Sequence, residues 1–129
     1  MILLDTHSLI FWINGDPILP QKRVDELERL GSEKVFLSSF SFWEIFIKVR
    51  KGKLNLGESS KKFTEKIISS QKLTVIDSNW NDFLLASTFS WKHSDPVDRI
   101  LVAQAKNRGL KLLSKDSEIK KYYKETIWM

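Results

Sequence analysis

Residues 95–116 have the sequence DPVDRILVAQAKNRGLKLLSKD, in which a helix is followed directly by a short strand. Aspartate suits the N-cap of a helix and proline suits its first position, so Asp95-Pro96 marks the start of the helix. Gly109 marks its end, because glycine is common just beyond a helix C-terminus. The apolar run at 110–113 then predicts a strand, which Asp116 closely follows. A helix leading into a short apolar strand is typical of an α/β domain.

The same alternation of short apolar runs and longer helical segments extends through the rest of the chain. Four more runs predict strands, at 2–4, 35–37, 73–76 and, weakly, 126–128. Apolar residues at helical spacing predict helices at 20–30, 42–49, 63–67 and 80–87. This alternation favours a mostly parallel central sheet with helices on both faces, joined by right-handed crossovers. No linker or repeat divides the chain, so residues 1–129 are predicted to form a single domain.

The composition excludes several classes of protein. With 42% hydrophobic residues among 129, the chain can bury a core, which excludes intrinsic disorder. The absence of cysteine excludes disulfide frameworks and thiolate metal sites. No apolar run approaches the roughly 20 residues that span a bilayer, and Asp5 comes too early for a signal peptide. We therefore expect a soluble, cytoplasmic protein with no membrane partner.

Positive charge is concentrated in one part of the chain. The net charge is +5, and residues 34–72 contain nine basic and three acidic residues, whereas residues 1–33 contain three basic and six acidic ones. A basic balance of this size favours a polyanionic partner. The alternative is a solvated surface of mixed charge.

Four acidic residues stand where predicted strands end or where predicted helices begin. Asp5 and Asp116 each follow a strand, Asp98 lies in the first turn of a helix, and Glu44 lies early in the helix after the second strand. Ligands of open parallel sheets bind beyond the carboxyl ends of the strands, so these carboxylates could converge there. Two carboxylates about 5 Å apart repel by roughly 3 kcal/mol at an effective dielectric constant near 20, so a cluster needs a cation. Oxygen donors suit Mg²⁺ and argue against zinc.

Each of these acids also has a structural interpretation. Asp5 or Asp116 could simply cap the following helix, which contributes about 1 kcal/mol. Glu44 follows Ser41 at capping-box spacing, and it stands one turn before Lys48, with which it could pair. Convergence of all four acids would favour the chemical interpretation over a set of separate caps.

The chain resembles a PIN-domain ribonuclease, of the kind that acts as the toxin of a VapBC toxin–antitoxin pair, from residue 1 to about residue 127. Four motifs in this order carry the resemblance: Leu-Asp-Thr-His at 4–7, Phe-Trp-Glu-Ile at 42–45 with Lys48 and Gly-Lys-Leu at 52–54, His-Ser-Asp-Pro-Val-Asp-Arg at 93–99 with Ala-Gln-Ala at 103–105, and Leu-Ser-Lys-Asp at 113–116. The resemblance implies a PIN-like three-layer α/β/α fold. It also implies a metal-dependent endoribonuclease that uses Mg²⁺, with Mn²⁺ as a substitute, to cleave single-stranded or looped RNA by metal-activated water.

The resemblance further assigns roles to named residues. The catalytic set would comprise four acids, which are Asp5, Glu44, Asp98 and Asp116. Asp5 and Asp98 would bind the metal directly. The supporting residues would be Ser114, which matches the small hydroxyl residue near the last acid, Arg99 and Thr6.

Other polar residues beside these acids have open roles. Arg99 would either contact a phosphate or brace Asp98. Asp95 is already explained as a helix N-cap. Histidine is a common general acid or base, yet we expect structural roles for His7 and His93 because a metal ion can activate water without a protein base.

The resemblance also implies protein partners, namely a cognate antitoxin that inhibits the toxin and a second copy of this chain. An antitoxin arginine or lysine is expected to neutralise the carboxylates and block the metal. Most of the five tryptophans should lie in the core. On one helix we expect Phe42, Ile45, Phe46 and Val49 to face inward, which leaves Trp43 partly exposed for a partner to cover.

Two other functions compete with this one. A non-catalytic nucleic-acid-binding module would grip phosphates with its basic residues and use its acids only as caps, so it predicts salt-sensitive binding without metal dependence. A receiver-like phospho-acceptor domain shares the topology but requires paired acids after the first strand. Here Asp5 is followed by Thr6 and His7, which disfavours that alternative.

Overall fold

A computed structural model of the chain describes residues 1–92 and 95–129. Its strands are β1 (Ile2–Leu4), β2 (Val35–Ser38), β3 (Thr74–Ile76), β4 (Lys111–Leu113) and β5 (Thr126–Ile127). These strands form one sheet in the order β3-β2-β1-β4-β5. All pairings between neighbouring strands are parallel, which confirms the predicted mostly parallel sheet of about five strands.

The helices lie between the strands, as the apolar spacing predicts. They are α1 (Thr6–Ile13), α2 (Gln21–Leu30), α3 (Ser39–Arg50), α4 (Ser60–Ser69), α5 (Trp80–Ser87), α6 (Pro96–Arg108) and α7 (Ser117–Tyr122). Helices α2 to α6 match the five segments predicted as helices, whereas α1 and α7 have no predicted bounds. In the part of the chain that the structure describes, no helix has both the length and the apolar character needed to span a bilayer.

The sheet buries both of its faces. Successive side chains of a strand point to opposite faces, and in β1 the side chains of Ile2 and Leu4 belong to one hydrophobic cluster while Leu3 belongs to another. The first cluster contains buried side chains from α1 to α4, and the second contains buried side chains from α5 to α7. The predicted three-layer α/β/α arrangement is therefore confirmed.

Parallel pairing brings the carboxyl ends of the strands to one edge of the sheet. At this edge β1 leads into α1 through Asp5, β2 runs directly into α3, and β4 leads into α7 through Asp116. The backbone N–H of Asp5 donates to the carbonyl of Leu113 at 3.1 Å, so the ends of β1 and β4 are fixed to each other. Helix N-termini carry partial positive charge, which makes this edge favourable for anionic groups.

Candidate active site

An open cleft of about 680 Å³ is lined by residues from α1, α3, the start of α6 and the segment after β4. All four acids to which the resemblance assigns catalytic roles line this cleft, and Asp95 lines it as well. The acidic lining residues are Asp5, Glu44, Asp95, Asp98 and Asp116. The fold therefore brings together side chains that are widely separated in sequence.

Asp5 is held rigidly at the end of β1. Its side chain is buried, and its Oδ1 accepts a hydrogen bond of 2.8 Å from the backbone N–H of Ser8, which makes Asp5 the N-cap of α1. The Ser8 hydroxyl donates to the carbonyl of Leu113 at 2.9 Å, which ties the first turn of α1 to β4. Oδ2 of Asp5 makes no hydrogen bond within the described residues, so capping leaves one carboxylate oxygen for a ligand.

Two more acids of the cleft combine capping with exposure to the cleft in the same way. Asp116 caps α7 through Oδ1, which accepts from the backbone N–H of Glu118 at 2.8 Å. Asp95 caps α6 through Oδ1, which accepts from the backbone N–H of Val97 at 2.9 Å. The capping interpretation is therefore confirmed for Asp5, Asp95 and Asp116, but a cap occupies only one oxygen of each carboxylate. Capping and ligand binding are compatible at these positions.

Glu44 reaches the cleft without capping a helix. The expected capping box would make Ser41 the N-cap of α3. The observed N-cap is Ser38, three residues earlier, because β2 connects directly to this helix. The predicted capping box between Ser41 and Glu44 is therefore wrong. The predicted pairing one turn along is confirmed, because Lys48 Nζ lies 4.0 Å from Glu44 Oε2.

The supporting residues separate into one that lines the cleft and two that brace its surroundings. Thr6 lines the cleft, and its buried Oγ1 makes no hydrogen bond within the described part of the protein. The buried Ser114 hydroxyl accepts from the backbone N–H of Asp116 at 3.1 Å and so orders the turn that carries this acid.

The Arg99 guanidinium donates to backbone carbonyls of the last turn of α5 and of the segment between α5 and α6. Its acceptors are the carbonyls of Phe89 at 2.9 Å, Ala86 at 3.4 Å and Trp91. These contacts favour the bracing role of Arg99 over phosphate contact. Of the two histidines, His7 lines the cleft, and His93 lies outside the described residues.

The donors of the cleft fit a hard divalent cation. Carboxylate oxygens predominate, and the buried hydroxyl of Thr6 has no hydrogen-bond partner among the described residues. No group of three or more His, Asp or Glu side chains in residues 1–92 and 95–129 is arranged to hold a metal ion. Mg²⁺ does not require such a group, because it keeps several water ligands and is commonly bound through one or two carboxylates. One free oxygen on each capping aspartate meets that requirement.

The sequence predicts that Lys48 pairs with Glu44, but it does not predict that two cationic residues line the cleft. Lys48 and Lys115 both line it, and Lys48 lies beside Glu44 and 3.2 Å from Nε2 of His7. The position of Lys48 could have been predicted from that of Glu44, because residues four positions apart lie on the same face of a helix. The contact with His7, in contrast, depends on how α1 packs against α3.

The chain matches the family model of the PIN domain over residues 2–125. It therefore belongs to the PIN-domain family, which is a family of nucleases that generally use divalent metal ions. A comparison with curated proteins finds no match.

Solved structures share this fold over nearly the whole chain. VapBC2 from Rickettsia felis, bound to a DNA fragment from its promoter, matches with a TM-score of 0.70 and 17% identity over 100% of both chains. A toxin–antitoxin complex from Klebsiella pneumoniae matches with a TM-score of 0.66 and 13% identity, covering 98% of this chain and 96% of that one. FitAcB from Neisseria gonorrhoeae matches with a TM-score of 0.63 and 21% identity, covering 100% and 97%. Identities this low establish similarity of fold alone.

Proposed function

We propose that the protein is a Mg²⁺-dependent endoribonuclease that cleaves single-stranded or looped RNA, with Asp5, Glu44, Asp98 and Asp116 as its catalytic acids. One observation carries the proposal, namely that these four acids line a single cleft although they are distant in sequence. Helix capping accounts for two of them, but Glu44 caps no helix and still lies in the cleft. This favours catalysis over the non-catalytic alternative, in which the acids are only caps.

In the proposed mechanism Asp5 and Asp98 would hold the ion, with Mn²⁺ as a substitute for Mg²⁺. When bound, the ion would neutralise charge on the phosphodiester oxygens and make water a stronger nucleophile near neutral pH. Asp5 suits this role because its cap to α1 fixes the carboxylate without using Oδ2. Glu44 and Asp116 would accept hydrogen bonds from water molecules in the cleft and so orient them.

The reaction itself would be an in-line displacement at phosphorus. The oxygen of water forms a bond to phosphorus and the water gives up a proton to the solvent, while the bond from phosphorus to O3′ breaks with its electron pair on O3′, which takes up a proton from the solvent. The products would carry a 5′-phosphate and a 3′-hydroxyl. Attack by the ribose 2′-hydroxyl would give a cyclic phosphate instead.

Purified protein is expected to cleave single-stranded RNA in Mg²⁺ or Mn²⁺ and to lose all cleavage when EDTA removes the metal. Gel analysis of end-labelled RNA measures cleavage, and phosphatase sensitivity of the new ends identifies the 5′-phosphate. Products that end in a cyclic phosphate would contradict the mechanism. Salt-sensitive RNA binding without cleavage in any metal would support the non-catalytic module instead.

The biological role that we propose is that of a toxin held inactive by a cognate antitoxin. The support is the fold, because solved structures that share it are toxin–antitoxin complexes. The cleft also suits such control, since its lining carries five carboxylates. An antitoxin arginine or lysine placed there would form charge-assisted hydrogen bonds with the carboxylates and displace the metal.

We also propose that two copies of the chain associate through an aromatic patch, which consists of Phe40, Trp43, Trp80, Phe83 and Leu84. Trp43 and Trp80 are 52% and 70% exposed, and the ring of Phe40 contacts those of Trp43 and Phe83 with centroids 6.4 and 6.2 Å away. Three of the five tryptophans are partly buried and pack against the core, as expected for most of them, whereas Trp43 and Trp80 are exposed. A group of exposed apolar side chains of this kind is typical of a protein interface.

Replacing both Trp43 and Phe83 with glutamate is expected to convert the dimer to a monomer, because it places charges in the proposed interface. Sedimentation velocity measures the change in mass. The matched control is Ile68→Glu, since Ile68 is 58% exposed on α4 and lies outside the aromatic patch. A wild-type protein that is monomeric at micromolar concentration would contradict the proposal.

Two broader predictions from the sequence belong to this proposal. We interpret residues 1–129 as one PIN domain, which is supported by the pairing of β1 with β4 near the other end of the chain. The cytoplasmic location stays a prediction from the sequence.

A further inference from the structure

Lys48 places a positive charge inside the acidic cleft. Its Nζ lies 3.2 Å from Nε2 of His7 and 4.0 Å from Oε2 of Glu44. The Lys48 side chain is 29% exposed, so its charge is less screened by solvent than that of a typical surface lysine. The ammonium group is therefore held at a defined place in the cleft by residues of α1 and α3.

The contact with His7 fixes the direction of hydrogen bonding. An ammonium group carries three donors and no acceptor, so Nε2 of His7 must accept through its lone pair and the ring proton must lie on Nδ1. The ring of His7 is also stacked against that of Phe11, with centroids 6.3 Å apart. His7 is thus oriented by packing, and it uses one of the three Lys48 donors.

Among the described residues Lys48 Nζ makes no hydrogen bond other than that with His7, so its remaining donors are available to an anion in the cleft. Glu44 at 4.0 Å is an ion-pair partner beyond hydrogen-bond distance, so it stabilises the charge without using a donor. Arg99, which sequence reasoning considered as a phosphate contact, donates instead to the carbonyls of Phe89 and Trp91. Lys48 is accordingly better placed than Arg99 to meet a phosphate.

We infer that Lys48 binds a backbone phosphate of the nucleic acid in the cleft, and that His7 is the positioning residue that holds Lys48 in place. This inference rests on the proposed nuclease function and names a residue that binds its substrate. The competing role for Lys48 is that of an internal counter-ion, which only reduces repulsion among the carboxylates.

The test is the steady-state cleavage of a single-stranded RNA by Lys48→Met at several salt concentrations. Loss of one phosphate contact is expected to raise KM about tenfold while kcat changes little. The plot of log KM against log salt should become shallower by about 0.7, the value for one contact with a single strand. Lys48→Arg should restore most of the affinity, since it keeps the charge.

Two further variants complete the design. His7→Phe keeps the stacked ring but removes the acceptor, and it is expected to change KM in the same direction by a smaller factor. Lys61→Met is the matched control, because Lys61 also lies 4.0 Å from a glutamate, Glu65, one turn away on its helix, but does not line the cleft. It should leave KM and the salt dependence unchanged.

The outcomes separate this inference from the function on which it rests. Unchanged KM and salt dependence in Lys48→Met, with active wild-type protein, would overturn the inference alone. A fall in kcat with unchanged KM would also overturn it, in favour of the counter-ion role. Wild-type protein that neither binds nor cleaves RNA would overturn both the inference and the proposed function.

Discussion

Replacing Asp5 with asparagine is expected to lower the rate of RNA cleavage at least about 100-fold while leaving the protein folded. Asparagine keeps an oxygen at the position of Oδ1, which accepts the hydrogen bond from the backbone N–H of Ser8, and it caps helices about as well as aspartate. The substitution removes the negative charge and replaces Oδ2, the oxygen left for the metal, with an amino group that cannot bind it. Losing the several kcal/mol that a bound ion contributes to the transition state corresponds to at least this factor in rate.

The control must change an aspartate to asparagine where only the hydrogen bond matters. Asp16 meets this condition, because its Oδ1 accepts from the backbone N–H of Ile18 at 2.9 Å and the residue does not line the cleft. Asp16→Asn should retain the cleavage rate of the wild type. Thermal unfolding followed by circular dichroism checks that all variants fold. If Asp5→Asn cleaved RNA as fast as Asp16→Asn, Asp5 would be a cap only.

The arrangement of strands and helices could be predicted because the core dictates it. Strands of a sheet buried on both faces are continuous apolar runs, and each of the five runs in the sequence corresponds to a strand. Helix α1 has no predicted bounds because its residues 9–13 are apolar throughout and form no single stripe, and α7 is only six residues long. Phe46 was expected to face inward but is 37% exposed and stacked on Phe42.

The acids that line the cleft could be predicted from the sequence, but the side-chain contacts within the cleft could not. Parallel strands place their carboxyl ends at one edge, so the positions of Asp5 and Asp116 after their strands were sufficient to place them together. The first residue of α3 could not be predicted, because β2 connects directly to this helix and Ser38 is therefore its N-cap. The contact between His7 and Lys48 joins residues 41 positions apart, and only the packing of α1 against α3 creates it.

Substituting Asp82 with alanine is expected to destabilise the protein by about 3 kcal/mol, because it breaks a buried ion pair that joins α5 to α6. Asp82 is only 1% exposed and accepts two hydrogen bonds from the Arg108 guanidinium, at 2.9 and 3.0 Å. Asn107 donates to the same carboxylate at 2.9 Å, and the backbone N–H of Asn79 donates at 3.1 Å as part of a capping box. Alanine would leave all these donors without their acceptor.

The position of this ion pair links it to the active site. Helix α6 carries Asp98 in its first turn, and the Asp82 pair holds its last turn against α5. Urea unfolding at neutral pH measures the loss of stability. The matched control is Glu118→Ala, which removes an ion pair with Lys121 whose side chains are 57% and 72% exposed, and it should change the stability by no more than about 0.5 kcal/mol. Equal effects of the two substitutions would contradict the prediction.

The pH dependence of stability in a third variant, Asp82→Asn, tests the electrostatic part of this explanation. Burial by itself raises the pKa of Asp82, but the hydrogen bonds from Arg108 and Asn107 and the charge of Arg108 outweigh it, so the pKa lies below its ordinary value of 3.8. A carboxyl whose pKa is lower in the folded than in the unfolded state adds stability above the unfolded value, and that stability is lost as the pH falls through the folded value. The stability difference between the wild type and Asp82→Asn should therefore be constant near neutral pH and shrink below about pH 4. A stability difference that stayed constant down to pH 2 would show that packing, and not the charge of Asp82, holds α5 against α6.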